Sequence, residues 1–102
     1  MFTRKQYLNG EVSHDEYYTE IAKKIGIKPS KEAVKKVKEA LERGDEHLNT
    51  IPMSFWNGWV IGIWAFNYQL IAEAFRRSGD QPSQAGMVCV LKSICKHYAK
   101  NL

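Results

Sequence analysis

The sequence predicts an all-α fold: a small helical bundle of four to five helices around a central tryptophan-rich apolar helix. Three observations predict it. Residues that satisfy the free backbone groups at helix ends recur along the chain. Between them, apolar residues follow helical spacing rather than strict alternation. The run from Leu48 to Ala72 holds no Asp, Glu, Lys or Arg and contains all three tryptophans, so it must leave water somewhere.

Thr3 is placed to cap a short first helix that closes at Asn9-Gly10, a pair that readily takes the left-handed conformation. Ser13 opens the second, with Glu16 three residues on in the reciprocal capping pattern, and Gly26 stops it. Tyr17, Tyr18, Ile21, Ala22 and Ile25 mark its apolar face. After the turn Lys28-Pro29-Ser30, Ser30 caps a third helix through about Arg43, with Gly44 as its stop. Val34, Val37, Ala40 and Leu41 line one side, and the opposite charges of Glu32–Lys36, Lys35–Glu39 and Lys38–Glu42 recur four residues apart on a solvated face.

Asp45 to Pro52 reads as a polar connector, after which Pro52 or Ser54 starts the tryptophan-rich helix. That helix runs to about Arg77 and stops at Ser78-Gly79-Asp80. Its apolar residues go nearly all the way round, the pattern of a helix enclosed by its neighbours, so Phe55–Phe75 is expected at the centre of the bundle. Gly58, Gly62, Ala65 and Ala72 form a small-residue stripe expected to let a neighbouring helix approach closely. Bulk at Gly62 should therefore destabilise the fold. The last helix follows Asp80-Gln81-Pro82-Ser83 and sets Met87, Leu91, Ile94 and Tyr98 against Lys92, Lys96 and Lys100.

With 102 residues, residues 1–102 make a single helical domain that can bury one core unaided. The dense apolar part, Trp59–Phe66, is far shorter than the roughly 20 residues a bilayer requires, so no membrane span is expected. Met-Phe-Thr-Arg-Lys-Gln lacks the basic-then-apolar order of an export signal, and a cytoplasmic location is the expectation. Cys89 and Cys95, six apart in one helix, point in directions too different for a bridge and read as free packing thiols.

Chemistry-bearing clusters are sparse. Ser13-His14-Asp15-Glu16 and Asp45-Glu46-His47 mix imidazole with carboxylates, the ingredients of a metal site or an acid–base pair. Capping and turn formation explain both without a ligand. Gly58 and Gly62 lack the Lys-Ser or Lys-Thr of a phosphate loop. No catalytic residue, metal ligand or cofactor is expected, and the chain is read as not an enzyme. A formal charge of +4 permits nucleic acid through Arg4, Lys5, Lys23, Lys24, Arg76, Arg77, Lys92, Lys96 and Lys100 if these share one surface.

Two segments carry a resemblance. Tyr7-Leu8-Asn9-Gly10-Glu11-Val12-Ser13-His14-Asp15-Glu16-Tyr17-Tyr18 and Asp45-Glu46-His47-Leu48-Asn49-Thr50-Ile51-Pro52-Met53, followed by Trp56, cover about a quarter of the chain. They resemble small uncharacterised proteins encoded by tailed bacteriophages, which carry Tyr…Ser/Thr-His-x-x-Tyr-Tyr and Asp-x-His-x-Asn-x-Ile-Pro-Leu-x-x-Trp segments. Here Asn57 stands where an acidic residue usually follows the tryptophan, and Phe55 where a polar one is common.

The resemblance implies an accessory protein made inside an infected bacterial cell. Binding to a protein partner, host or phage, is the expected activity, with inhibition of a host or defence protein as the setting; a nucleic-acid-associated role in replication or packaging is the alternative, and a homodimer is left open. The expected contact surface comprises Tyr17, Tyr18, Asp45, Glu46, His47, Asn49 and Trp56, since aromatic rings supply contact area while neighbouring polar groups supply orientation.

Overall fold

Side-chain caps define the helices. In the computed structural model, which describes residues 1–101, the Thr3 hydroxyl accepts from the Gln6 amide and the Gln6 side chain answers to the Thr3 amide, opening α1 (Arg4–Leu8). Ser13 and Glu16 form the same reciprocal pair before α2 (His14–Ile25), which ends on the left-handed Gly26. Ser30 caps α3 (Lys31–Glu42) through the Ala33 amide, and Ser83 caps α5 (Gln84–Lys100) through the Gly86 amide. Pro52 precedes α4 (Met53–Arg77) without a side-chain bond, where a missing amide hydrogen is no loss.

The described residues form these helices and no strand, the all-α bundle that capping and periodicity predict. Their packing differs from expectation in one respect. The last helix, not the tryptophan-rich one, lies at the centre: α5 packs against α2, α3 and α4. Met87, Val90, Leu91, Ile94 and Cys95 of α5 are fully or almost fully buried, and they join Tyr17, Ile21, Val37, Leu48, Trp56 and Phe75 in one hydrophobic cluster.

Length explains why α4 is not enclosed. Its 25 residues would span about 37 Å at 1.5 Å per residue, against roughly 18 Å for the 12-residue helices α2 and α3. Neighbours about half that length cannot cover α4 along its whole run. Burial on α4 stops at Val60 and resumes at Ile71; nothing from Ile61 to Leu70 is fully buried. Near the end of this span the backbone leaves helical geometry at Asn67 (φ −131°, ψ 28°), kinking α4.

The small-residue stripe is likewise corrected. Among the described residues, and apart from the helix's own backbone and the adjoining residues, no atom lies within 4 Å of where a Cβ would sit on Gly58 or Gly62, so no other described helix approaches there. The close approach is made at Gly86 instead: a Cβ there would stand 3.0 Å from the Phe75 ring and 2.9 Å from the Ser83 hydroxyl. Among the described residues no helix is long and apolar enough to cross a membrane.

Candidate functional site

The tyrosines expected at a contact surface are structural. Capping at Ser13 starts α2 so that Tyr17 and Tyr18 turn inward, where both are buried. The Tyr17 hydroxyl lies 3.0 Å from Ser78 Oγ and donates to Asp80 at 3.3 Å. Arg4 Nη1 donates to the Tyr18 hydroxyl at 3.2 Å and pairs with Asp80 at 3.3 Å. The Tyr7 ring stacks on Tyr17 at 4.8 Å, and its hydroxyl meets His14 Nδ1 at 3.1 Å.

This network joins α1, α2 and the α4–α5 turn. Burial pushes both phenols above their ordinary pKa. Burial also opposes the charge on Arg4, but the Tyr18 hydrogen bond and the Asp80 carboxylate outweigh it and leave the guanidinium pKa raised. His14 is pushed down by desolvation, with Asp15 opposing and Lys96, His47 and Lys92 adding to the fall.

Trp56 is also interior. It is fully buried, packs edge-on to Phe55 at 5.1 Å, stacks with Trp59 at 6.3 Å and lies 5.9 Å from the Lys92 ammonium. Its indole N–H finds no hydrogen-bond acceptor among the described residues. Tyr17, Tyr18 and Trp56 therefore serve the core and offer a partner no free surface, because a contact residue must be reachable.

The connector between α3 and α4 has an internal scaffold. One Asp45 carboxylate accepts from the Asn49 amide at 2.9 Å and from the Thr50 amide and hydroxyl at 2.8 and 2.6 Å. These hydrogen bonds, those from Thr50 first, hold Asp45 down at a pKa of about 2. They bend the chain so that Leu48 takes a left-handed conformation (φ 57°), which costs a bulky residue about 1–2 kcal/mol. Complete burial of the Leu48 side chain offsets that strain.

The loop thereby displays Glu46, His47 and Asn49, all exposed. Lys92 Nζ donates to the His47 carbonyl at 3.2 Å, and Lys100 stands 3.9 Å from Glu46. Of the seven residues expected at the contact, these three face solvent, Asp45 is spent on the loop, and the three aromatics lie within the core.

A shallow cleft of about 320 Å³ between α2 and α5 is lined in part by Asp15, Thr19, Lys23, Ser93, Lys96 and Lys100. Asp15 accepts from Ser93 at 3.3 Å and from the largely buried Lys96 at 3.4 Å, so the central charges are matched. Among the described residues no three His, Cys, Asp or Glu side chains come together in a way that could hold a metal. Both cysteines are free, and burial raises their pKa, to about 12 for Cys95.

The more telling surface is one that sequence reading did not single out. On α4, Phe66 is 88% exposed and Ile61 64%, with Tyr68 and Leu70 exposed beside them. Trp56 and Val60 point inward, while Gly58, Ile61, Gly62, Ala65, Phe66 and Gln69 recur at steps of three and four on the opposite side. A signal for it was present: an all-round apolar helix of this length has too few neighbours in a chain of 102 residues to be covered on every side. No family model, curated protein or solved structure matches the chain.

Proposed function

We propose that this chain is a small, non-enzymatic accessory protein of the bacteriophage type that works in the cytoplasm of an infected bacterial cell by binding protein, a host or defence protein being the target. The observation that carries protein binding is the exposed, uncharged α4 face around Ile61 and Phe66, since contiguous apolar surface on a small protein marks a contact site. The rigid tip at Glu46, His47 and Asn49 supplies polar groups for orientation. The phage setting rests on the resemblance of the two segments, one spanning α1 and α2 and the other the α3–α4 connector into α4.

Nucleic acid draws less support. Arg4, Arg77, Lys96 and Lys100 each face a carboxylate and Lys92 a carbonyl, leaving fewer cations for phosphate neutralisation. The test is a pull-down from bacterial lysate at high salt with nuclease, comparing the native chain with Phe66→Glu and with Glu46→Ala/His47→Ala. A stoichiometric protein lost in Phe66→Glu, with helicity unchanged, is the expected result. Retention of nucleic acid at low salt with no protein enriched overturns the reading.

A further inference from the structure

We infer that α1 is a strap that detaches from the folded α2–α5 core, and that the surface beneath it is a receptor for an arginine and an aromatic ring one helical turn apart on a protein segment. This site owes nothing to the outward face of α4. Its occupant is in view, because α1 itself is seated there.

The strap has no core of its own. None of its five residues is buried, and the chain has no buried residue before Tyr17. Half-buried Phe2, Tyr7 and Val12 supply its apolar contact, and α2 is the only described helix against which it packs. A helix of five residues does not persist alone, since so few hydrogen bonds do not offset nucleation. Released from its seat, α1 melts. The rest of the fold keeps its own ends: α2 is capped by Ser13 and Glu16, and Gly10, at φ 77°, lies in the short connection between the two helices.

The surface beneath holds its shape without α1. Ser78 Oγ donates to the Phe75 carbonyl at 2.7 Å, and the Asp80 amide donates to the same carbonyl at 3.0 Å. The Gln81 amide donates to the Asp80 carboxylate at 2.7 Å, and the Tyr17 hydroxyl reaches both Ser78 and Asp80. Onto this frame α1 sets a cation and a ring. Arg4 Nη1 serves the Asp80 carboxylate and the Tyr18 hydroxyl, while the Arg4 amide donates to the Ser78 carbonyl at 2.6 Å. Tyr7, three residues on, lies 5.1 Å from the Arg4 guanidinium, stacks on Tyr17 and meets His14.

These contacts define the ligand. The carboxylate calls for a charge-assisted donor, and the exposed side of Tyr17 calls for a second ring. A segment with Arg and Tyr spaced as in α1 supplies both. Departure of α1 also bares Tyr17 and Tyr18, the two tyrosines expected at a contact surface and found covered.

Hydrogen exchange of the native full chain tests detachment. The amides of Arg4, Tyr7, Asn9 and Glu11 are all hydrogen-bonded, and that of Arg4 reports the seat itself. They should exchange at least about a hundredfold faster than those of Leu91 and Ile94 in α5, with no dependence on low denaturant. Equal protection in α1 and α5 overturns the strap.

A fluorescently labelled peptide of residues 1–12 tests the receptor when offered to the native chain and to Arg4→Glu/Tyr7→Ala, whose own strap no longer fits. The variant should keep the circular dichroism of α2–α5. It should bind the peptide at least about tenfold more tightly than the native chain, in which tethered α1 competes at an effective concentration of about millimolar. Arg4→Glu in the peptide, or Asp80→Asn added to the variant, should weaken that binding by about tenfold or more. A variant that loses the helicity of α2–α5 overturns detachment. A peptide that binds both chains alike, or neither at millimolar concentration, overturns the receptor, and binding indifferent to Arg4 and Asp80 overturns its choice of arginine.

Discussion

Helices α4 and α5 invert the usual relation between composition and burial. The first is the most apolar stretch of the chain, yet its middle touches the core only through the half-buried Ile63 and Trp64 and is otherwise exposed; the second carries Lys92, Lys96 and Lys100 and occupies the centre. Neighbours decide the difference. The α5 lysines reach past the core edge to His47, Asp15 and Glu46, so their stems can pack while their charges stay satisfied. On α4 the span between Val60 and Ile71 outruns the short helices available to cover it.

Truncation should show that difference most strongly. Leu91→Ala empties a fully buried position at the centre and is expected to cost about 2–5 kcal/mol of unfolding free energy. Phe66→Ala removes a larger side chain from α4 and should change stability by no more than about 0.5 kcal/mol, because the ring touches little of its own chain. Urea unfolding below the concentration of any self-association measures both. Equal losses would break the comparison and return α4 to the core.

Glycines sharpen the contrast from the opposite direction. Gly86→Ala drives a methyl group against Phe75 and the capping hydroxyl of Ser83, for an expected loss of about 1–3 kcal/mol. Gly62→Ala meets nothing, and its better helix propensity should stabilise the monomer by up to about 1 kcal/mol. Thermal melts of the two variants should move apart. A loss at Gly62 would restore the close helix approach that the stripe predicts.

Local chemistry was the legible part of this fold. Thr3, Ser13, Ser30 and Ser83 each cap a helix, and Gly26, Gly44 and Gly79 take the positive φ that a stop requires. Such signals act over three or four residues and survive any tertiary arrangement. The identity of the central helix does not act locally. It depends on which faces meet, and an all-round apolar pattern reads the same for an enclosed helix and for one that awaits a partner.

The candidate contact residues fared unevenly for a related reason. Tyr17, Tyr18 and Trp56 satisfy core packing and a surface contact equally well by residue type, and only burial separates the two. Asp45 shows the same ambiguity among polar residues: its carboxylate reads as an interaction group, yet it is consumed by the Asn49 and Thr50 hydrogen bonds. Asn67 offered no warning of its kink, since a lone asparagine within an apolar helix is compatible with a straight one.

Asp45 also supplies a pH-dependent comparison between loop and core. Its folded pKa, near 2, lies below the ordinary 3.8, so its stabilising effect is full above the unfolded value and is lost as pH falls through the folded one. The difference in stability between the native chain and Asp45→Asn should be constant above about pH 5 and shrink between about pH 4 and pH 2. Chemical denaturation at stepped pH reads it. A difference that grows on acidification would contradict the loop scaffold.

The smallest expected effect concerns the two thiols of α5, and it tests the centre of the fold without altering the sequence. Burial pushes the Cys95 pKa up to about 12 and raises that of the half-buried Cys89; since the thiolate is the reactive form, both should label slowly at neutral pH. Their mechanisms should nevertheless differ. Cys89 has partial access and should react in the native state, whereas Cys95 is enclosed and can react only when α5 separates from its neighbours. With a central α5 that separation is close to global unfolding, so Cys95 labelling should track the unfolding equilibrium as denaturant is added. Rapid labelling of Cys95 in the native protein, at a rate indifferent to low denaturant, would place α5 at the surface and give the centre back to the tryptophan-rich helix.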